Sequence, residues 1–245
     1  MKERIITSVV LIAVLLLVGI IDNRFLTGLL IGAIAVVGYM EAEKLFKTED
    51  KEIFYIAIAS VVLSLIINPF TALIFGVIVS ASYIAYYQKD LNIISPVIYP
   101  LVPVMILYAL YVKQGMGIIA WLIVIVALTD SLAYFVGKNF ARKFIAQGFC
   151  KTSPNKSWEG VIGGVAGATI IGAFVGLYFM NFWNSFLIAL LVSVSSVFGD
   201  LFESYLKRRA GVKDSGNILP GHGGVLDRID GYLFAAPVMF VLMGV

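Results

Sequence analysis

The chain has 245 residues, 60% of them apolar and 13% charged, against about 45–50% and about 25% in soluble globular domains. A soluble globule of this size cannot bury that much apolar surface, so the bilayer must be its solvent. A single cysteine, Cys150, excludes an internal disulfide, and a net charge of +3 is too small to mark a nucleic-acid binder by itself.

Taken in order, apolar segments fit to cross about 30 Å of hydrocarbon run over residues 5–21, 25–40, 53–68, 70–87, 95–112, 116–136, 159–180, 184–200 and 231–245. The expected fold is therefore all-α and polytopic, with about nine transmembrane helices. Lys2 and Arg4 before the first segment resemble the head of a secretion signal. No small-residue cleavage site follows and a second apolar segment comes at once, so the first segment reads as a transmembrane helix. Pro96, Pro100 and Pro103 predict a kinked or irregular start to the fifth segment. The ninth is short for a full span.

With nine spans, the N-terminus and the loops after the second, fourth, sixth and eighth segments share one side. Only Arg24 and Lys113, of the 18 lysines and arginines, fall on the other. By the positive-inside rule the N-terminus is expected in the cytoplasm and the C-terminus outside. Two loops exceed simple connections, 137–158 and 201–230, both cytoplasmic in this reading. Neither has the apolar content to fold alone, so each must pack on helices or on a ligand. The expected organisation is a scaffold or oligomerisation region over residues 1–112 and a catalytic region over 113–245. Gly160, Gly163, Gly164, Gly167, Gly172 and Gly176 stripe the seventh segment at a spacing that predicts close helix packing.

Ionisable residues inside apolar helices are costly and usually mark function. Asp130 and Asp200 stand out, and Asp200 opens the densest polar stretch of the chain. That stretch runs through Glu203, Ser204, Lys207, Arg208, Arg209, Lys213 and Asp214 to Pro220-Gly221-His222-Gly223-Gly224. It closes on Asp227-Arg228-Ile229-Asp230. Asp200, Asp227 and Asp230 are hard oxygen donors suited to Mg²⁺, which takes one or two carboxylates together with phosphate oxygens. Lys207, Arg208, Lys213 and Arg228 supply cations for phosphate, and the glycine turn can aim N–H groups at an anion. Carboxylates, cations and a glycine turn together describe a metal–phosphate site. Juxtamembrane basic residues are often only topology signals, but that reading leaves three aspartates unexplained. His222, set between glycines in a polar turn, reads as a ligand-facing residue; one histidine and one distant cysteine cannot build a zinc site.

The Lys151–Gly160 run offers Ser153, Asn155, Lys156 and Ser157 at the start of the seventh segment, where a helix N-terminus favours phosphate. Lys156 and Ser153 are expected to touch substrate. The plainer reading of Ser157, with Trp158 beside it, is ordinary helix capping at the interface. Asp130 could complete the cavity, and Cys150 reads as incidental.

The run from Ser204 through Leu206-Lys207-Arg208, Lys213-Asp214, Gly216, Leu219-Pro220 and His222-Gly223-Gly224 to Asp227-Arg228-Ile229-Asp230 resembles the signature of the phosphatidate cytidylyltransferases. Gly199-Asp200 and Ser153-Pro154-Asn155-Lys156-Ser157-Trp158-Glu159-Gly160 resemble further stretches of that family. The likeness covers the C-terminal half; the first five segments share only apolar character. It implies condensation of CTP with phosphatidic acid to CDP-diacylglycerol and pyrophosphate, in the inner (plasma) membrane with the site on the cytoplasmic side, by a homodimer. It also implies divalent metal at Asp200 and Asp227, Mg²⁺ with a second cation left open. On that basis Asp200, Asp227, Lys207 and Arg228 are the expected catalytic residues, with Asp230 a third metal ligand. Lys156, Ser153, Ser157, Ser204, Arg208, Lys213, His222, Gly223, Gly224 and Asp130 are the expected substrate contacts. The family pattern Asp-Thr-Gly-Ala-Tyr is replaced here by Asp130-Ser131-Leu132-Ala133-Tyr134, and Ala141 stands where a glycine is common. Two other classes fit less well. A CTP-dependent lipid kinase would share the metal site, whereas a transporter would spread its polar residues across both faces.

Overall fold

The computed structural model describes residues 2–244, with side chains from residue 5 onward. Val245, the end of the ninth expected segment, and the side chains of Lys2 and Arg4 lie outside the described residues. Nine α-helices occur among them: α1 (Lys2–Ile21), α2 (Arg24–Phe46), α3 (Lys51–Ile66), α4 (Pro69–Tyr87), α5 (Val102–Gln114), α6 (Met116–Phe140), α7 (Trp158–Gly176), α8 (Phe182–Ala210) and α9 (Leu226–Leu242). No strand occurs among the described residues, only isolated bridges between Gly148 and Ser157 and between Leu219 and Gly223. Among the described residues, six stretches are long and apolar enough to cross a membrane: α2, α4, Leu91–Gln114, α6, α7 and α8. The chain is a polytopic helical membrane protein.

Local chemistry sets where the helices begin. Asn23 accepts from the backbone N–H groups of Phe25 and Leu26, Asp50 from Ile53, Asn68 from Phe70, and Asn181 from Asn184. Each is a short polar side chain meeting the orphan donors of a first turn. Pro69 directly follows its cap, where a missing N–H costs nothing. The proline-rich approach to α5 is irregular as expected: a 3₁₀ turn over Leu91–Ile94, a π turn over Val97–Leu101, and regular helix only from Val102.

Several ends differ from those expected. α2 runs to Phe46, α6 to Phe140 and α8 to Ala210, and α9 starts at Leu226. The 201–230 loop therefore shrinks to residues 211–225, and Asp200, Ser204, Lys207 and Arg208 sit on a helix. Hydropathy sees only the part of a helix at hydrocarbon depth, whereas backbone hydrogen bonding continues into polar sequence. The 29 residues of α8 extend about 44 Å at 1.5 Å per residue, well beyond a hydrocarbon core of about 30 Å.

The helices form two compact units, Met1–Met116 with Leu206–Ile229, and Gly117–Tyr205 with Asp230–Val245. In the first, α2 packs on α3 and α5, and α4 on the same two helices, around Tyr39, Ile53, Met105, Tyr108 and Leu110. In the second, Trp121, Leu122, Ile125 and Met239 are buried; Trp121 donates its indole N–H to the Gly172 carbonyl at 2.8 Å. The glycine stripe of α7 does the expected packing. A Cβ on Gly164 would meet the Thr129 carbonyl oxygen at 2.7 Å, and one on Gly160 the Ala133 carbonyl oxygen at 2.8 Å. Only glycine lets α7 approach the α6 backbone this closely.

Candidate functional site

In the first unit, Lys207 and Arg208 lie in the last turn of α8, where cations suit the helix C-terminus. Gly211, at φ +80°, ends the helix: its N–H bonds the Arg208 carbonyl at 3.2 Å, and that of Val212 the Lys207 carbonyl at 2.9 Å. Farther on, the His222 N–H closes onto the Leu219 carbonyl at 2.8 Å. Pro220 and Gly221, the latter at φ +72°, occupy the two central positions that a type II turn requires of them.

Asp227 organises this loop from the first turn of α9. Its Oδ1 accepts from Lys207 Nζ at 2.6 Å. Its Oδ2 accepts from the N–H of Ser215 and of Gly224, each at 2.8 Å, and lies 3.0 Å from the Ser215 hydroxyl. The Gly224 bond reaches back across the start of α9 and ties the loop to its first turn. Arg228 donates through Nε and Nη2 to the His222 carbonyl at 3.1 and 2.8 Å, bracing the turn. A cavity of about 510 Å³ opens here, lined by Lys213, Asp214, Asn217, His222, Gly223 and Arg228 among others. Arg208 does not line it; its Nη1 bonds the Val212 carbonyl at 3.3 Å.

In the second unit, a cavity of about 490 Å³ is lined by Asp130 from α6, Asn155, Lys156 and Ser157 from the preceding loop and helix cap, and Asp200 from α8. Lys156 forms an ion pair with Asp200 Oδ2, and Asp200 Oδ1 accepts from the Ser204 hydroxyl at 3.3 Å, one turn along the helix. The loop carrying Lys156 is held by a bond from the Phe149 N–H to the Lys156 carbonyl at 2.8 Å. Glu159 fastens its other end, accepting from the N–H groups of Phe144 and Ile145 at 3.0 and 2.8 Å. Ser157 caps α7, its hydroxyl accepting from the Gly160 N–H at 3.1 Å, so the plain reading of that residue is observed. Ser153 is not among the cavity's lining residues; its N–H bonds Cys150 Sγ at 3.4 Å, which gives Cys150 a part in the turn. Asp230 accepts from the Gly231 N–H at 2.7 Å and lines neither cavity.

Three residues at the signature loop escaped the sequence. Glu41 of α2, 1% exposed, accepts from the N–H groups of Val225 and Leu226 and from the Ser215 hydroxyl. Near the start of α1, the Thr7 hydroxyl donates to the Pro220 carbonyl at 3.0 Å, and Ser8 Oγ pairs with His222 Nε2 at 2.9 Å. Glu41 carries the same signal as Asp130, an acid beside an apolar run, but it falls one residue beyond the expected end of its segment. Thr7 and Ser8 carry no comparable signal.

Among the described residues no three histidine, cysteine or acidic side chains gather into an all-protein metal cage. Asp200 and Asp227 each pair with a lysine, Lys156 and Lys207; as hard oxygen donors such carboxylates would suit a cation that takes one or two of them and completes its shell with phosphate.

The sequence profile of the Cytidylyltransferase family matches residues 2–245. Curated relatives include phosphatidate cytidylyltransferases from two strains of Helicobacter pylori, 40% and 41% identical over 99% of this chain and 91% of theirs. One from Thermotoga maritima is 32% identical over 99% of this chain and 96% of its own.

Proposed function

The chain belongs to the cytidylyltransferase family, and we infer that it is a phosphatidate cytidylyltransferase, joining CTP to phosphatidic acid to give CDP-diacylglycerol and pyrophosphate. The observation that carries the site assignment is the clustering of signature residues: Lys213, His222, Gly223 and Arg228 around one polar cavity, with Lys207 locked onto Asp227 in the same unit.

A phosphate oxygen of phosphatidic acid attacks the α-phosphorus of CTP. As the new P–O bond forms, the bond to the bridging oxygen breaks and pyrophosphate leaves. The nucleophile is already an anion at neutral pH, so the chain need not supply a strong general base. It supplies alignment and positive charge, in a setting where preorganised cations are worth most. Lys213 and Arg228 hold phosphate oxygens at the first cavity; the Lys207–Asp227 pair does not line it but braces the loop that does, through the Ser215 and Gly224 N–H groups. Lys156, with Asp200 and Asp130, provides polar contacts to substrate at the second cavity. Arg208, Ser153, Ser157 and Gly224 shape the two loops, and Ser204 steadies Asp200 on α8. Mg²⁺, when bound, would neutralise phosphate charge; in the first unit Asp227 is a carboxylate suited to it, and in the second unit Asp200, with Asp230 next in line, is another.

We place these loops on the cytoplasmic side, with all nine helices crossing the bilayer, and propose that the protein works as a homodimer. This placement lets the acyl chains stay in lipid while the head group reaches the water-soluble nucleotide. The test is pyrophosphate release by purified protein with CTP, phosphatidic acid and Mg²⁺, each omitted in turn. Release that needs all three, with a CDP-lipid product, supports the reading. CDP released with a polyprenol acceptor, and no pyrophosphate, overturns it.

A further inference from the structure

Glu41 takes no part in the reaction as described, yet the signature loop is built around it. Its Oε1 accepts from the Val225 N–H at 3.0 Å, and its Oε2 from the Leu226 N–H at 2.9 Å and the Ser215 hydroxyl at 3.1 Å. These partners lie 174 to 185 residues away in sequence. A buried carboxylate survives in an apolar surrounding only when its lone pairs are met, and here three donors meet them, two from the opening of α9. An anion at that place also suits the positive end of the helix dipole. Gly216 and Gly224 press against the same carboxylate: a Cβ on either would collide with it.

The Ser215 hydroxyl has one proton and two carboxylate oxygens in reach, Glu41 Oε2 at 3.1 Å and Asp227 Oδ2 at 3.0 Å. The proton is shared, so the charge on Glu41 governs how strongly Ser215 holds Asp227. Asp227 in turn holds Lys207. We propose that Glu41 is a positioning residue of the transfer reaction, acting through Ser215 and the first turn of α9 to set Asp227 and, with it, the Lys207 ammonium. The inference rests on the assignment of Lys207 and Asp227 to the substrate machinery.

A simple structural peg would affect folding alone; a positioning residue also changes turnover in the folded enzyme. Glu41→Gln keeps the volume, removes the charge and turns an amide N–H₂ toward a backbone donor. With full-length protein in detergent micelles, kcat per folded molecule is expected to fall roughly tenfold to a hundredfold, the range for losing hydrogen bonds to a charged group, with KM for CTP within about threefold of the parent. Ser215→Ala deletes only the shared hydroxyl and is expected to lower kcat in the same direction. The double variant should fall no further than the worse single one, because both changes break one relay. Wild-type kcat in Glu41→Gln, or fully additive losses in the double variant, overturns the proposal. Should Glu41→Gln fail to fold, Ser215→Ala decides alone: unchanged kcat overturns the relay. Asp227→Asn run alongside keeps the two readings apart. If it turns over normally, the site assignment has failed; if it is inactive while Glu41→Gln and Ser215→Ala are normal, only the role of Glu41 has failed.

Discussion

Replacing Asp227 by asparagine tests how much of the signature loop depends on one carboxylate. The change is isosteric, so no cavity opens, and the whole effect lies in hydrogen bonding and charge. Asp227 accepts from Lys207 Nζ at 2.6 Å on one oxygen, and from two backbone N–H groups at 2.8 Å on the other. Asparagine keeps one oxygen. If that oxygen faces the backbone donors, its N–H₂ is set against the Lys207 ammonium; if it faces Lys207, two backbone donors lose their acceptor. The side chains of Lys207 and Asp227 are 11% and 6% exposed, so solvent screens the loss only weakly. Removing one partner of a buried pair costs about 3 kcal/mol or more. Because large membrane proteins often unfold irreversibly, the appropriate assay is the rate of thermal inactivation in detergent, read beside pyrophosphate release at low temperature. Faster inactivation together with turnover lowered by at least about a hundredfold is expected. A variant that inactivates and turns over like the parent would refute both the structural and the chemical role given to this carboxylate.

Gly164→Ala should destabilise the protein by about 1–3 kcal/mol through overpacking, since the new Cβ would lie 2.7 Å from the immobile Thr129 carbonyl oxygen; thermal inactivation at the parent's rate would contradict the close packing of α6 and α7. Cys150, the lone cysteine and a partly exposed one, should react with a membrane-impermeant maleimide in inverted vesicles and be protected in intact cells; the opposite pattern would reverse the proposed orientation. Asp50 gives a pH dependence. Burial alone would raise its pKa, but the Ile53 N–H and the Lys89 ammonium outweigh it and hold the carboxyl below its ordinary value. A depressed folded value contributes stability that is complete above the unfolded pKa of about 3.9 and is lost as pH falls through the folded value. Asp50→Asn, which keeps the helix cap, should therefore inactivate faster than the parent at neutral pH, with the gap closing in acid; a gap independent of pH would refute the charge contribution.

What the sequence determined by itself was local. Apolar runs longer than the bilayer is thick declared a polytopic helical membrane protein, because hydrocarbon admits only segments that satisfy their own backbone. The stripe from Gly160 to Gly176 foretold the close approach of α6 and α7, since its spacing alone puts small residues on one face. The signature from Ser204 to Asp230 pointed to the family through its resemblance to the phosphatidate cytidylyltransferases, because carboxylates, cations and glycines at that spacing lie within one continuous stretch. The tertiary structure decided what those residues lean on. Hydropathy ended α8 near Asp200, but backbone hydrogen bonds carry the helix to Ala210, so Ser204, Lys207 and Arg208 have fixed directions instead of loop freedom. Asp227, legible as a carboxylate, proved to be the knot of four donors. Glu41, Thr7 and Ser8 join the signature loop across some two hundred residues of chain, and no local pattern announces such a bond. Their place is set by packing, where a buried acid and the open N–H groups of α9 each satisfy what the other cannot leave buried without a partner.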